Sequence, residues 1–242
     1  MEVFTNVASL IVRLYLMKMV WTALYAQNAA PDNLPLHAIL TYTVVALLMS
    51  LVLEIDGTRA IRDKLREGTI ATDLLKPISL PFYFFADGFG MTMLHGLLTI
   101  PALLVCLLIV HVDVPSAPVL LAFAFSFGLG YLVNFLLNFI MNSVAFWTLE
   151  TFAIQLMVRW ASDLLGGQII PLVFFPGKLQ QLVLALPFAA IYSTPLLIYL
   201  GNIPPHDYLI SFAKQVLWLA IFGVISALMW RAGSRRIVSQ GG

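Results

Sequence analysis

From Leu36 to Leu53 the chain passes eighteen residues without an Asp, Glu, Lys or Arg. A helix needs about 20 apolar residues to cross the roughly 30 Å hydrocarbon core of a bilayer. Comparable runs recur at Val3–Gln27, Phe82–Val110, Val119–Thr148, Thr151–Phe175 and Asp207–Trp230. Charged residues make up 10% of the 242, and hydrophobic residues 61%. A soluble domain carries about 25% charged residues. This chain cannot cover itself with a water-facing surface, so lipid is its solvent. The expected fold is an all-α integral membrane protein, a single domain over residues 1–242 with six transmembrane helices.

Composition also excludes. A net charge of +1 gives nucleic acid nothing to bind. One cysteine, Cys106, permits neither an internal disulfide nor a cysteine metal site. His37, His95, His111 and His206 are scattered and lack metal-ligand spacing, so no metal site is expected. Glu2, Arg13 and Lys18 interrupt the first run, which does not read as a cleavable leader. The two basic residues either snorkel or face the bundle.

The breaks between runs carry the remaining information. Asn28–Pro35 is a turn-rich break, and His111–Pro118 is another. Phe82–Gly90 (FYFFADGFG) reads as an interfacial entry to the third span, with a kink permitted at Pro101. Residues 176–205 are apolar but broken by Pro176, Gly177, Pro187, Pro195, Gly201, Pro204 and Pro205. No straight span fits there, and a re-entrant or interfacial pair of short helices is expected. Lys178–Leu186 within it has an interfacial helix pattern.

Lys and Arg placement sets the orientation. Arg59, Arg62, Lys64, Arg66 and Lys76 follow the second run, and Arg231, Arg235 and Arg236 follow the last. The breaks after the first and third runs have none, and the break after the fifth has Lys178 alone. Both termini and the 56–77 loop are therefore expected on the cytoplasmic side. No strong internal repeat appears, which argues against inverted-repeat carriers.

Asp56–Pro77 (DGTRAIRDKLREGTIATDLLKP) is the charged island of the chain. Thr58–Glu67 reads as a short helix. Arg59 and Asp63 are four apart and Asp63 and Arg66 three apart, which brings opposite charges together on a surface. Ile61 and Leu65 form a narrow apolar stripe. Gly68 stands where a helix stop favours positive φ. Thr69 is placed to cap a second helical turn, Ile70–Leu75, which Pro77 ends. Asp73 reads as a cap or surface charge. Such a stretch is either a solvated connection or a helix that transmits a push between two spans.

Three blocks carry a resemblance. Ile61, Gly68-Thr69-Ile70 and Asp73-Leu74-Leu75-Lys76-Pro77 form the first, Gly166-Gly167-Gln168-Ile169-Ile170-Pro171-Leu172 with Phe175-Pro176 the second, and Leu186-Pro187-Phe188 with Tyr192, Pro195 and Gly201 the third. Together, in this order and each at a membrane boundary, they resemble the signatures of the ABC-2 type permease family. The sequence departs at its start, where the family's longer amphipathic segment has no counterpart before the first run. The resemblance implies a transmembrane subunit of an ATP-binding cassette exporter in the bacterial inner membrane. It implies two partners, a separate ATPase subunit that binds ATP and Mg, and a second permease subunit, giving a homo- or heterodimer. It implies that the helix between the second and third spans is the coupling helix, with Arg59, Ile61, Arg62, Asp63, Leu65, Arg66, Glu67 and Gly68 as its ATPase-coupling residues. It also places the 176–205 region on the outer face, between the fifth and sixth spans. The substrate class implied is hydrophobic or amphipathic.

Nothing in the chain supplies its own ATPase: G-x-x-x-x-G-K-[ST] does not occur. The expectation is a transport subunit, not an enzyme, with no catalytic residue and no cofactor in this chain. Ser126, Gly130, Asn134, Asn138 and Asn142 recur every four residues in the fourth run. Asn134, Asn138 and Asn142 line either a substrate path or a subunit interface, or they serve inter-helix hydrogen bonding, the commoner use in membranes. Arg159 and Asp163, one turn apart in the fifth run, read as a structural pair or a gate. Lys214 reads as snorkelling. The rival reading, an ion-coupled secondary transporter or channel, needs an acidic or His relay inside the spans, and Asp163 is the one candidate.

Overall fold

The computed structural model describes residues 2–27, 34–53, 58–73, 75, 77–98, 100–148 and 151–240. No strand occurs among them. The helices are α1 (Glu2–Ala26), α2 (Leu36–Leu53), α3 (Arg59–Glu67), α4 (Ile70–Asp73), α5 (Leu80–Leu98), α6 (Ile100–Ile109), α7 (Ala117–Ser143), α8 (Phe152–Leu165), α9 (Gly177–Ala185), α10 (Pro187–Ile191), α11 (Ser193–Tyr199) and α12 (Tyr208–Gln240). Short 3-10 turns lie at Val144–Phe146, Leu172–Phe174 and Pro205–Asp207. Most of the break at 28–35 and the stretch 54–57 lie outside the described residues.

Proline marks where several helices begin. Pro81, Pro118 and Pro187 each stand in a first turn, where the missing N–H has no helical partner to lose. One reading is corrected here: Phe82–Gly90 is part of α5 itself, not an entry before it. The kink expected at Pro101 borders residue 99, which lies outside the described residues.

Four helices among the described residues are long and apolar enough to cross a membrane: Ser9–Ala26, Leu36–Leu53, Ala117–Phe146 and Pro205–Arg236. The third and fifth expected spans are not among these four. The third comprises α5, which carries Asp87 and His95, and α6, on either side of residue 99, which lies outside the described residues. The fifth contributes only the 14 residues of α8, about 21 Å of helix, short of a roughly 30 Å core. It ends at Gly166–Gly167, where Gly167 takes φ +85° and its carbonyl accepts a hydrogen bond from the buried Tyr42 hydroxyl.

The core centres on α7, which packs against α12, α10, α11, α8 and α3. Its main cluster joins Ile39, Tyr42 and Met49 of α2 with Val133, Leu137 and Ile140 of α7, then Ile191, Leu196 and Phe222. A flank formed by α1, α2 and α6 closes around Leu10, Leu14, Val44 and Cys106. Lys18 faces this flank: its ammonium donates to the Ile109 carbonyl at 3.1 Å. That contact satisfies an end carbonyl of α6 and sets a cation at the helix's negative end. Lys214 is exposed on α12. The outward surfaces are apolar, with Leu16, Leu121, Leu209 and Leu228 among the side chains left uncovered. Exposed apolar surface of this extent suits lipid and not water.

The 176–205 region holds three short helices instead of a pair. The α10–α11 segment is largely buried against α7, whereas α9 exposes Lys178, Gln181, Leu179 and Leu182.

Candidate functional site

The helix α3 is an amphipathic element fixed to the bundle from beneath. Gly68, at φ +73°, ends it, and its N–H donates to the Leu65 carbonyl at 3.3 Å. Open space surrounds Gly68, so backbone conformation alone selects glycine there. The chain then reverses into α4, and Ile70 returns beside Ile61. Both are fully buried in a cluster with Leu80 and Phe84 of α5, Phe135 and Phe139 of α7, and Phe146. Leu65 packs at the edge of this cluster. Burying an isoleucine side chain contributes about 1.5–3 kcal/mol, so Ile61 and Ile70 together hold the hairpin firmly.

A polar network adds direction to that grip. Arg62 donates through Nη1 to Gln155 Oε1 of α8 at 2.8 Å. Its Nε and Nη2 both lie 3.2 Å from Asp63 Oδ1. Gln155 in turn donates to Asn142 Oδ1 of α7 at 2.9 Å, and Asn142 Nδ2 donates to Thr58 Oγ1 at 2.9 Å. One chain of side chains thus ties the N-terminal half of α3 to α7 and α8. Arg62 is only 15% exposed, so its hydrogen bonds are shielded from water and worth more than surface ones. Lys64 pairs across the turn with Asp73, which is buried.

The eight coupling residues expected from sequence therefore divide. Ile61 and Arg62 face inward, engaged by the protein's own core and by Gln155. Leu65 is half-buried. Arg59, Arg66, Glu67 and Gly68 are exposed, and Asp63 is half-exposed. The surface pairing expected among Arg59, Asp63 and Arg66 is corrected in one respect: Asp63 takes Arg62, its neighbour in sequence. Asp73 is a buried ion-pair partner and not a surface charge. Thr69 does not cap α4 with its side chain; its hydroxyl reaches back to the Lys64 carbonyl at 3.5 Å. α4 is shorter than expected, ending at Asp73, and Leu74 and Lys76 lie outside the described residues.

Behind α3 lies a cavity of about 280 Å³ between α2, α3, α7 and α8. Arg59, Arg62, Asn134, Asn138, Arg159 and Asp163 contribute its polar wall, with Tyr192 at its margin. Arg159 and Asp163 thus face one shared space. Asn134 also donates to the last carbonyl of α2, Leu53 O, at 2.9 Å. Asn134 and Asn142 of the four-residue stripe of α7 thus bond to neighbouring segments, whereas Asn138 lines the cavity. At the upper end of the stripe Ser126 donates to Gln215 Oε1 of α12 at 3.0 Å, and Gln215 Nε2 donates to the carbonyls of Ser126 and Ala190. Gly130 lets α10 approach so closely that a Cβ there would meet Ile191 O at 2.8 Å.

Gln155, Thr58 and Gln215 escaped the sequence reading. Gln215 is the one Asn or Gln in its expected span, and an isolated amide in an apolar run is itself a signal of a partnered interior position.

The two ends of the bundle differ in charge. Trp230 packs on Phe84, Phe139 and Phe146, so the basic tail of α12 shares an end with the basic helix α3. At the other end Asp113 gathers Thr41, His37 and Tyr199.

A family model described as ABC-2 family transporter protein matches residues 10–241. No curated protein sequence and no solved structure matches the chain significantly.

Proposed function

Because the chain belongs to the ABC-2 family of transporter proteins, a family of membrane transport permeases, we propose that it is the transmembrane subunit of an ATP-driven exporter and that α3 is its coupling helix. In this reading the chain crosses the bacterial inner membrane six times. α5 with α6 forms the third crossing, and α8 with the short helices after it forms the fifth. Both termini and α3 are cytoplasmic, in keeping with the basic residues that α3 and the end of α12 bring to one end. A separate ATPase binds ATP and Mg and receives the exposed face of α3, namely Arg59, Asp63, Arg66 and Glu67. A second permease subunit, identical or related, completes the path for a hydrophobic or amphipathic substrate.

The observation that carries the proposal is the attachment of α3. A charged, exposed face stands on a base bonded to α7 and α8 through Arg62, Gln155, Asn142 and Thr58. Displacement of α3 by a partner therefore acts on both helices at once, and those helices wall the 280 Å³ cavity.

Face and base are separable by experiment. Co-purified with its ATPase, the variant Arg66→Glu with Glu67→Lys should lose the ATPase. Arg62→Ala with Gln155→Ala should retain it while transport falls about tenfold, the effect expected when roughly 1.4 kcal/mol of coupling is removed. Full transport in the second variant, or full ATPase retention in the first, contradicts the assignment.

A further inference from the structure

Away from the cavity behind α3, a groove of about 620 Å³ runs between α5, α7 and α12. Its volume falls well inside the range of small-molecule sites. Phe82, Phe85, Phe135, Phe139 and Trp230 form most of its wall, and Arg231 stands at one end. We propose that this groove binds one anionic phospholipid from the leaflet at the α3 end, with the phosphate on Arg231 and one acyl chain along the aromatic wall.

Three features favour that occupant. The first is length. The α12 side of the groove runs from Leu219 to Arg231, about 18 Å of helix. One leaflet of hydrocarbon is about 15 Å deep, half of the roughly 30 Å core. The groove is thus as deep as one acyl layer, with its only described charge at the headgroup end. The second is charge. Arg231 is exposed, Arg235 follows one turn later, and guanidinium forks suit phosphate oxygens. Basic pockets between helices on a cytoplasmic face are recognised by anionic lipid headgroups. The third is Ser226. It lines the groove, is 6% exposed, and its hydroxyl lacks a hydrogen-bond partner among the described residues. It sits about 7.5 Å of helix above Arg231, the zone of the glycerol esters when a phosphate rests on that arginine. A second copy of this chain could cover the aromatic wall, but an anion at Arg231 together with an acceptor for Ser226 matches a phospholipid. Gly223 keeps the groove open: a Cβ there would meet nothing nearer than Leu136 Cδ1 at 3.9 Å.

The proposal rests on the membrane embedding argued above but not on ATPase coupling. Its test reads tryptophan quenching of the full chain in phosphatidylcholine nanodiscs doped with brominated lipid. Brominated phosphatidylglycerol should half-saturate quenching at a mole fraction about fivefold lower than brominated phosphatidylcholine, the effect of about one basic residue facing an anionic lipid. Trp230→Phe should remove that saturable component. Arg231→Gln should abolish the preference while leaving the saturable component in place, and Gly223→Leu should fill the groove and abolish that component. Arg231 lies at the exposed rim, so its variant keeps the test valid if Gly223→Leu fails to fold. Equal quenching by both lipids in the unaltered chain, or an undiminished preference in Arg231→Gln, overturns the proposal. So does quantitative self-cross-linking of a Phe82→Cys variant with no quenching, which would make the groove a subunit interface. Export is not read in this assay, so its failure leaves the permease reading standing, and a failed coupling experiment leaves lipid binding to be judged here.

Discussion

Two short helical units rest on α7, and they are held by different means. α3 is attached through side chains: two buried isoleucines and a run of hydrogen bonds through Arg62, Gln155 and Asn142. α10 is attached through its backbone, which meets α7 at Gly130 and gives the Ala190 carbonyl to Gln215 of α12. Side-chain links can re-form with new partners after a shift of an ångström or two. A backbone lodged against a glycine has no such latitude, because packed interiors resist continuous deformation. The contrast separates a unit suited to move from one suited to stay.

Three substitutions put that contrast at risk, in descending order of effect. Gly130→Leu should be the most damaging, since even its Cβ would fall 2.8 Å from the Ile191 carbonyl oxygen. The expected cost exceeds about 3 kcal/mol, the upper end for overpacking, and folded protein should not survive detergent extraction and gel filtration. A normally behaved variant would show that α10 can retreat and is not fixed. Ile61→Ala should cost about 3 kcal/mol, but locally. The bundle should keep its melting temperature within a few degrees while protease cuts near Gly68 far sooner; a lowered global melting point would mean that α3 is part of the rigid body. Gln215→Leu should cost about 1–3 kcal/mol by leaving the Ala190 carbonyl without this donor. A scanning calorimetry trace unchanged from the parent protein would remove Gln215 from the fixed unit.

Much of this arrangement was legible. Helix α2 begins where its uncharged run begins, and α3 ends where Gly68 stops it, because hydrophobicity and a left-handed stop are local properties. Shortening of the fifth span was less so. Gly166–Gly167 was visible, but whether a glycine pair ends a helix depends on what packs beside it, here the Tyr42 hydroxyl on the Gly167 carbonyl. The face that α3 turns inward was not legible. Arg62 reads as a surface charge until Gln155, 93 residues later, is brought beside it. Asp73 looks exposed until the turn at Gly68 sets it against Lys64. The asparagine stripe on α7 showed in its spacing, and its hydrogen-bonding partners came only with the fold.

The bond from Lys18 to the Ile109 carbonyl has a consequence in time. A lysine near the centre of a crossing helix costs roughly 2.5–3.5 kcal/mol to insert. Its acceptor lies 91 residues downstream. At the synthesis rate of about 5–20 residues per second, that acceptor emerges roughly 5–20 s after the lysine does. For that interval α1 carries an unmatched charge, so its final seating belongs to the period after α6 has been made. Of the helices described, α1 is translated before the rest and is among the last to be locked in place.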